Sequence, residues 1–122
     1  AVDVAGPTGP SFDSGSIASS SSGAVASADI GRTQFDITGP RDVLAVTTFM
    51  EDPLAKEGGQ EYTVRFTPPS GGNNDYTATY GSTILIENPE VGTWEIGVFM
   101  VAAGAFDWTA EWCAFTGDAC PA

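Results

Sequence analysis

Nucleophilic catalysis needs a base, and this chain lacks the usual one: its 122 residues contain no histidine. That removes Ser-His-Asp and Cys-His chemistry. A Ser–Lys dyad would have to use Lys56, the only lysine, in a segment that reads as an exposed connection. No Gly-x-Ser-x-Gly elbow occurs, and no glycine-rich loop with a following lysine to cradle phosphate. The 16 acidic residues supply carboxylates in number, but none stands in a setting that marks a glycosidase pair. The chain is therefore expected to be non-catalytic and to carry no cofactor, calcium being the one metal to weigh.

Calcium takes six to eight oxygen ligands, and the compact Asp-x-Asp-x-Asp-Gly loop that supplies them is absent. The candidates are the Glu51-Asp52 pair and the oxygen-rich Asn73-Asn74-Asp75, of which Asn73 and Asp75 could ligate. The other reading of Asn73–Asp75 is a tight turn between strands. Cys113 and Cys120 are seven residues apart with Gly117 between them, and a local disulfide closes such a loop easily. The chain-entropy model credits that bridge with about 2.5 kcal/mol. Free thiols are the alternative, or a zinc site, which would need two further Cys or His ligands. A disulfide points to an oxidising, extracellular compartment. Trp94, Trp108 and Trp112 could form a carbohydrate platform, but they share strand faces with Ile96 and Phe106, which makes core packing the better reading. Tyr76 and Tyr80 are freer to be exposed.

Charge narrows the partners. Sixteen acids against four bases give a net charge of −12, which repels nucleic acid and anionic membranes. The acidity reads as solubility, as adaptation to a saline habitat, or as bound calcium. No run approaches the ~18–20 apolar residues of a membrane-spanning helix. Ala1-Val2-Asp3 reads as a terminus left by signal-peptide removal or as an excised fragment.

The elements that must position any site are strands. From Thr83 to Trp112, Ile84 and Ile86 alternate with polar neighbours. Trp94, Ile96, Val98 and Met100 then fall on one face, and Phe106, Trp108, Ala110 and Trp112 on another. Period-two alternation between Gly, Pro and Asn punctuation marks a half-buried antiparallel sheet. Asp42–Met50 is apolar on both faces through Val43, Leu44, Ala45 and Val46, as a central sandwich strand should be. Tyr62, Val64 and Phe66 form another alternating strand, and Tyr76–Tyr80 a further one. Glu51–Gln60 is a connection with a helical turn at Leu54–Lys56. The fold expected is all-β, an antiparallel, jelly-roll-like sandwich: one domain with an extended N-terminal arm. Residues 1–30 are the Ser/Gly-rich arm, 31–112 the sandwich, and 113–122 a disulfide-closed terminal segment. Inside the arm, Val2 and Val4 alternate around Asp3, and Ala24, Ala26, Ala28 and Ile30 alternate with Val25, Ser27 and Asp29. Either patch could be a strand with small side chains.

In order, these pieces resemble the pre-peptidase C-terminal domain, a β-sandwich of secreted microbial proteins. The matching pieces are Thr33–Ile37, the Val43–Phe49 strand, and Tyr62-Thr-Val-Arg-Phe-Thr-Pro-Pro-Ser-Gly71. Most specific is Asn88-Pro-x-x-Gly-Thr-Trp94 feeding a Val-rich strand, followed by Phe106–Trp112. The resemblance implies a non-catalytic accessory module of a secreted peptidase or other hydrolase that binds a polymer or calcium. Two functions follow. One is a secreted subunit of a filament or surface layer whose arm adds a strand to a neighbouring copy. The other is an accessory domain holding a polysaccharide or a protein polymer.

Overall fold

The computed structural model describes residues 12–21, 31–99 and 106–116. Among the described residues, eight strands carry the fold: β1 (Phe12–Ser21), β2 (Gly31–Ile37), β3 (Val43–Met50), β4 (Tyr62–Thr67), β5 (Asn74–Ala78), β6 (Thr83–Glu87), β7 (Gly92–Phe99) and β8 (Phe106–Phe115). One short helix, α1 (Pro53–Lys56), interrupts them. Two four-stranded sheets form, ordered β1-β8-β3-β6 and β2-β7-β4-β5, with antiparallel pairing throughout.

That order has a simple origin. The pairs β1–β8, β2–β7, β3–β6 and β4–β5 are the rungs of one long antiparallel hairpin. Two further pairings, β3–β8 and β4–β7, roll the hairpin into a sandwich. This is the winding of a jelly roll, as the alternating sequence led one to expect.

Each strand buries one face because its side chains alternate. In β3 the inner row is Leu44, Val46, Thr48 and Met50, all fully buried, and the outer row is half-buried. The three tryptophans are core residues. Phe35 lies between Trp94, at 6.1 Å between ring centroids, and Trp112, at 4.6 Å, and so joins the two sheets. Phe66 meets Trp94 and Tyr76 edge-on at 6.3 and 5.6 Å. Offset and edge-on pairs of this kind add stabilisation beyond the area they bury. The Trp94 indole donates to the Glu90 carbonyl at 2.9 Å, tying β7 back onto the Asn88–Gly92 turn. Among the described residues, the buried indole nitrogen of Trp108 finds no acceptor. Between the sheets, the Thr48 and Tyr62 hydroxyls share a buried hydrogen bond of 2.7 Å. Burial pushes the Tyr62 phenol up from its ordinary value.

Several sequence expectations shift. Phe12–Ser21, inside the segment read as an arm, is a full strand of the chain's own sheet, and β8 runs to Phe115 rather than stopping at 112. The reason is that β1 alternates with Ser, Gly and Ala, residues that carry little hydrophobic signal. Asn74 and Asp75 belong to β5; the reversal before them is made by Gly71 and Gly72, at φ of 94° and 88°, where glycine meets no Cβ penalty. The last strand of that region therefore spans Asn74–Ala78 rather than Tyr76–Tyr80. Tyr76 and Tyr80 are half-buried, Tyr76 on Phe66 and Tyr80 edge-on to Phe49 at 5.4 Å. Val2, Val4, Ala24, Ala26, Ala28, Ile30, Met100 and Cys120 lie outside the described residues.

Candidate functional site

An edge strand presents one row of unpaired backbone groups, and proteins usually blunt such rows. Here β5 and β6 are edges of only five residues each, and both carry acids: Asp75 on β5 and Glu87 on β6. β1 is different. Among the described residues it is a ten-residue edge whose single charge is Asp13, close to one end.

Few side chains fasten β1 to the sandwich. Its inner row is Asp13, Gly15, Ile17 and Ser19, opposite Ala114, Trp112, Ala110 and Trp108 of β8. Ile17 is the one large aliphatic of the row and packs against the core. Gly15 exists for Trp112: a Cβ there would stand 3.0 Å from the indole nitrogen. Asp13 closes the end. Its carboxylate accepts from the Thr38 amide at 2.9 Å and the Thr38 hydroxyl at 2.7 Å. It also pairs with the Arg41 guanidinium at 3.1–3.2 Å. Both charged side chains are largely buried. This latch bridges the sandwich edge, since Thr38 follows β2 of the opposite sheet.

Burial alone would raise the Asp13 carboxyl, but the Thr38 donors and Arg41 outweigh it and hold it below the usual carboxylate value. A depressed folded value means the latch contributes fully above the unfolded value near 3.8 and is lost as pH falls through the folded one. Asp13→Asn is therefore expected to cost about 1–2 kcal/mol at neutral pH and to flatten the acid limb of stability. Urea midpoints of both proteins across the acid range check this; parallel pH profiles would refute it.

The calcium candidates are drawn into other bonds. Asp52 caps α1 by accepting from the Leu54 amide at 2.8 Å, and Glu51 pairs with Lys56 at 2.8 Å. Asp75 holds Arg65 through two bonds of 2.7 and 2.9 Å, which lower its carboxyl. Asn73 accepts from Thr67 at 2.9 Å. Glu51 and Asp52 follow the end of β3 that faces the start of β4, whereas Asn73 lies beyond the far end of β4, so the two pairs are not brought together. Among the described residues no three His, Cys, Asp or Glu side chains cluster. Cys113 carries no free thiol, and its expected partner Cys120 lies beyond the described residues.

Sequence reading missed Asp13, Gly15, Ile17, Thr38 and Arg41. Asp13 and Arg41 are 28 positions apart with no local signal joining them. The one available clue was Ile17, an isolated aliphatic at even spacing from Asp13 and Gly15 within a serine tract.

No helix among the described residues is long and apolar enough to cross a membrane. No family model matches the chain, and no curated protein sequence matches it significantly. The likeness to the pre-peptidase C-terminal domain rests on its motifs alone. Among solved structures, the chain is weakly similar to the following, with others beyond them. The Yersinia pseudotuberculosis-derived mitogen is 7% identical, with a TM-score of 0.47, over 92% of this chain and 91% of its own. A structure described as Bacillus endospore appendages forming a family of disulfide-linked pili is 11% identical, with a TM-score of 0.42, over 96% and 99%. The carbohydrate-binding module CBM36 with calcium and xylotriose is 15% identical, with a TM-score of 0.40, over 85% and 88%. These likenesses carry no functional argument.

Proposed function

We propose that this protein is a secreted, non-catalytic structural subunit that assembles by passing β1 to the sheet of a neighbouring copy. One observation carries the reading: a low-complexity N-terminal segment supplies the longest edge strand among the described residues, with Ile17 as its one large aliphatic against the core. Its ten-residue ladder with β8 can form equally well with a second copy. Nine residues separate Ser21 from Gly31, and a chain of that length reaches roughly 30 Å when extended. Vacating β1 leaves β8 with an unpaired edge beside Trp112, and a neighbour's β1 satisfies it. Head-to-tail exchange whose rotation does not close on itself gives a fibre. A bridge from Cys113 to Cys120, the pairing read from the sequence, suits an extracellular setting.

The test pins β1 in place. Ala18 and Thr109 are cross-strand partners on the outer face, so A18C/T109C can join β1 to its own β8. Negative-stain microscopy and light scattering should show fibres for the parent chain and monomers for the cross-linked one. A chain lacking residues 1–30 should stay unassembled and should take up a peptide of the Phe12–Ser21 sequence. A parent chain that remains monomeric at high concentration, or fibres that persist after cross-linking, would sink the reading.

The second reading is an accessory binding domain of the pre-peptidase C-terminal type. The outer face of the β2-β7-β4-β5 sheet favours it. There Arg32 pairs with Glu95 at 3.2 Å and Arg65 with Asp75, beside Gln34 and Thr67, on a polar face suited to polymer hydroxyls or to charged peptide. Calorimetry with polysaccharides, collagen and calcium checks it, and silence across that set would count against it.

A further inference from the structure

At the edge of its sheet opposite to β1 lies β6, Thr83–Glu87. Its centre is a run of aliphatics, Ile84, Leu85 and Ile86. Ile84 is buried and Ile86 packs against the core, so the alternation turns Leu85 outward. At 64% exposure, Leu85 is the most exposed large hydrophobic among the described residues. The one charge of the strand, Glu87, stands at its end and not in its middle.

The backbone shows what this edge offers. Just beyond the two ends of the β3–β6 ladder, the Asn88 amide donates to the Asp42 carbonyl at 2.8 Å and the Thr48 amide to the Ser82 carbonyl at 3.3 Å. Antiparallel ladders alternate between bonded and unbonded pairs. Carried through the register, that alternation makes Leu44–Ile86 and Val46–Ile84 the bonded pairs. Thr83, Leu85 and Glu87 therefore turn both amide and carbonyl away from β3, and no strand among the described residues receives them.

From this we infer that β6 pairs with β6 of a second copy, antiparallel about a two-fold axis at Leu85. In that register Leu85 faces Leu85 of the second copy, and Thr83 faces its Glu87. Every outward amide and carbonyl of both strands then has a partner, whereas a slip of two residues either way leaves one end of each strand unpaired. The acid meets a threonine instead of its twin, which avoids the cost of like charges set directly opposite. The two Leu85 side chains cover each other, and two four-stranded sheets join as one. Such a contact uses the same patch on both copies and closes on itself. It lies at the far edge from β1 and does not depend on strand exchange.

The test uses the full chain carrying A18C/T109C, which keeps β1 in its own sheet, beside the parent chain. Sedimentation equilibrium should show a monomer–dimer equilibrium that tightens as salt rises, because two chains of charge −12 repel each other. Leu85→Lys sets like charges face to face and should weaken dimerisation roughly tenfold or more, although it lowers the net charge. Thr83→Lys should tighten the dimer by placing a lysine opposite Glu87 of the second copy, and adding Glu87→Lys should undo that gain. General relief of repulsion would instead make T83K/E87K the tightest of the set. On the unsubstituted strand, the amides of Thr83, Leu85 and Glu87 should exchange more slowly as protein concentration rises, while those of Ile84 and Ile86 stay protected throughout. That readout serves should any variant fail to fold. A monomer at every concentration up to about 1 mM, a dimer indifferent to Leu85→Lys, or T83K/E87K binding more tightly than T83K would overturn the inference. Should β1 never exchange, parent and cross-linked chain give the same dimer, so the fate of that reading leaves this one standing.

Discussion

Gly92→Ala is expected to lower stability by about 3–4 kcal/mol, a large share of the 5–15 kcal/mol typical of a domain. Gly92 opens β7 at a φ of 132°, a conformation that L residues rarely adopt. A Cβ there would also stand 2.9 Å from Cγ and 3.1 Å from Cβ of Pro69, a stiff ring that cannot swing aside. Backbone strain of this kind costs about 1–3 kcal/mol, and forcing atoms into packed space costs about 1–3 more. The contact matters because two turns meet here. The Ser70 amide and hydroxyl bind the Glu90 carboxylate at 3.0 and 2.7 Å, and Trp94 hangs from the Glu90 carbonyl. Gly71→Ala is the control: φ is 94°, but a Cβ there would meet nothing within 4 Å. Urea unfolding should show Gly92→Ala losing at least twice what Gly71→Ala loses. Equal losses would mean that the Pro69 contact is slack.

Tyr62→Phe should cost about 1–3 kcal/mol, and so should Thr48→Val, because each strands a polar partner in the core. Thr48 is the one polar residue among the fully buried ones described. Besides its bond with the Thr48 hydroxyl, the Tyr62 hydroxyl lies 3.1 Å from the Thr48 carbonyl and 3.0 Å from that of Thr79. It thus ties the end of β3 to the loop after β5. The double substitution T48V/Y62F removes donor and acceptor together, and its loss should fall well below the sum of the two single losses. Strict additivity in a double-mutant cycle would show that the two hydroxyls do not act as a pair.

Where side chains alternate between large apolar and polar, the sequence displayed its own structure. Val43–Met50, Tyr62–Phe66 and Trp94–Val98 appear as strands with the expected faces buried. The core role of the three tryptophans was legible for the same reason. β1 was not. Its alternation is Asp, Gly, Ile, Ser on one side and Phe, Ser, Ser, Ala on the other, so side-chain size carried almost no period. Its place is fixed by partners far along the chain: Trp112 fills the space over Gly15, and Arg41 and Thr38 collect Asp13. The Asn73–Asp75 turn was misplaced because Gly71 and Gly72, immediately before it, make the reversal instead. The candidate site was thus half visible: the right segment of chain stood out, without the contacts that hold it.

The rolled hairpin has a mechanical corollary. Phe12 and Phe115 face each other as the outermost rung among the described residues, so tension applied at those two residues enters this ladder at one end. It opens the rungs one after another, as a zipper opens, and each gives way under a small force. Pulled in that direction the molecule is weak. A load-bearing assembly of such units would have to take its tension along the strands, where all ten rungs of β1 share it at once.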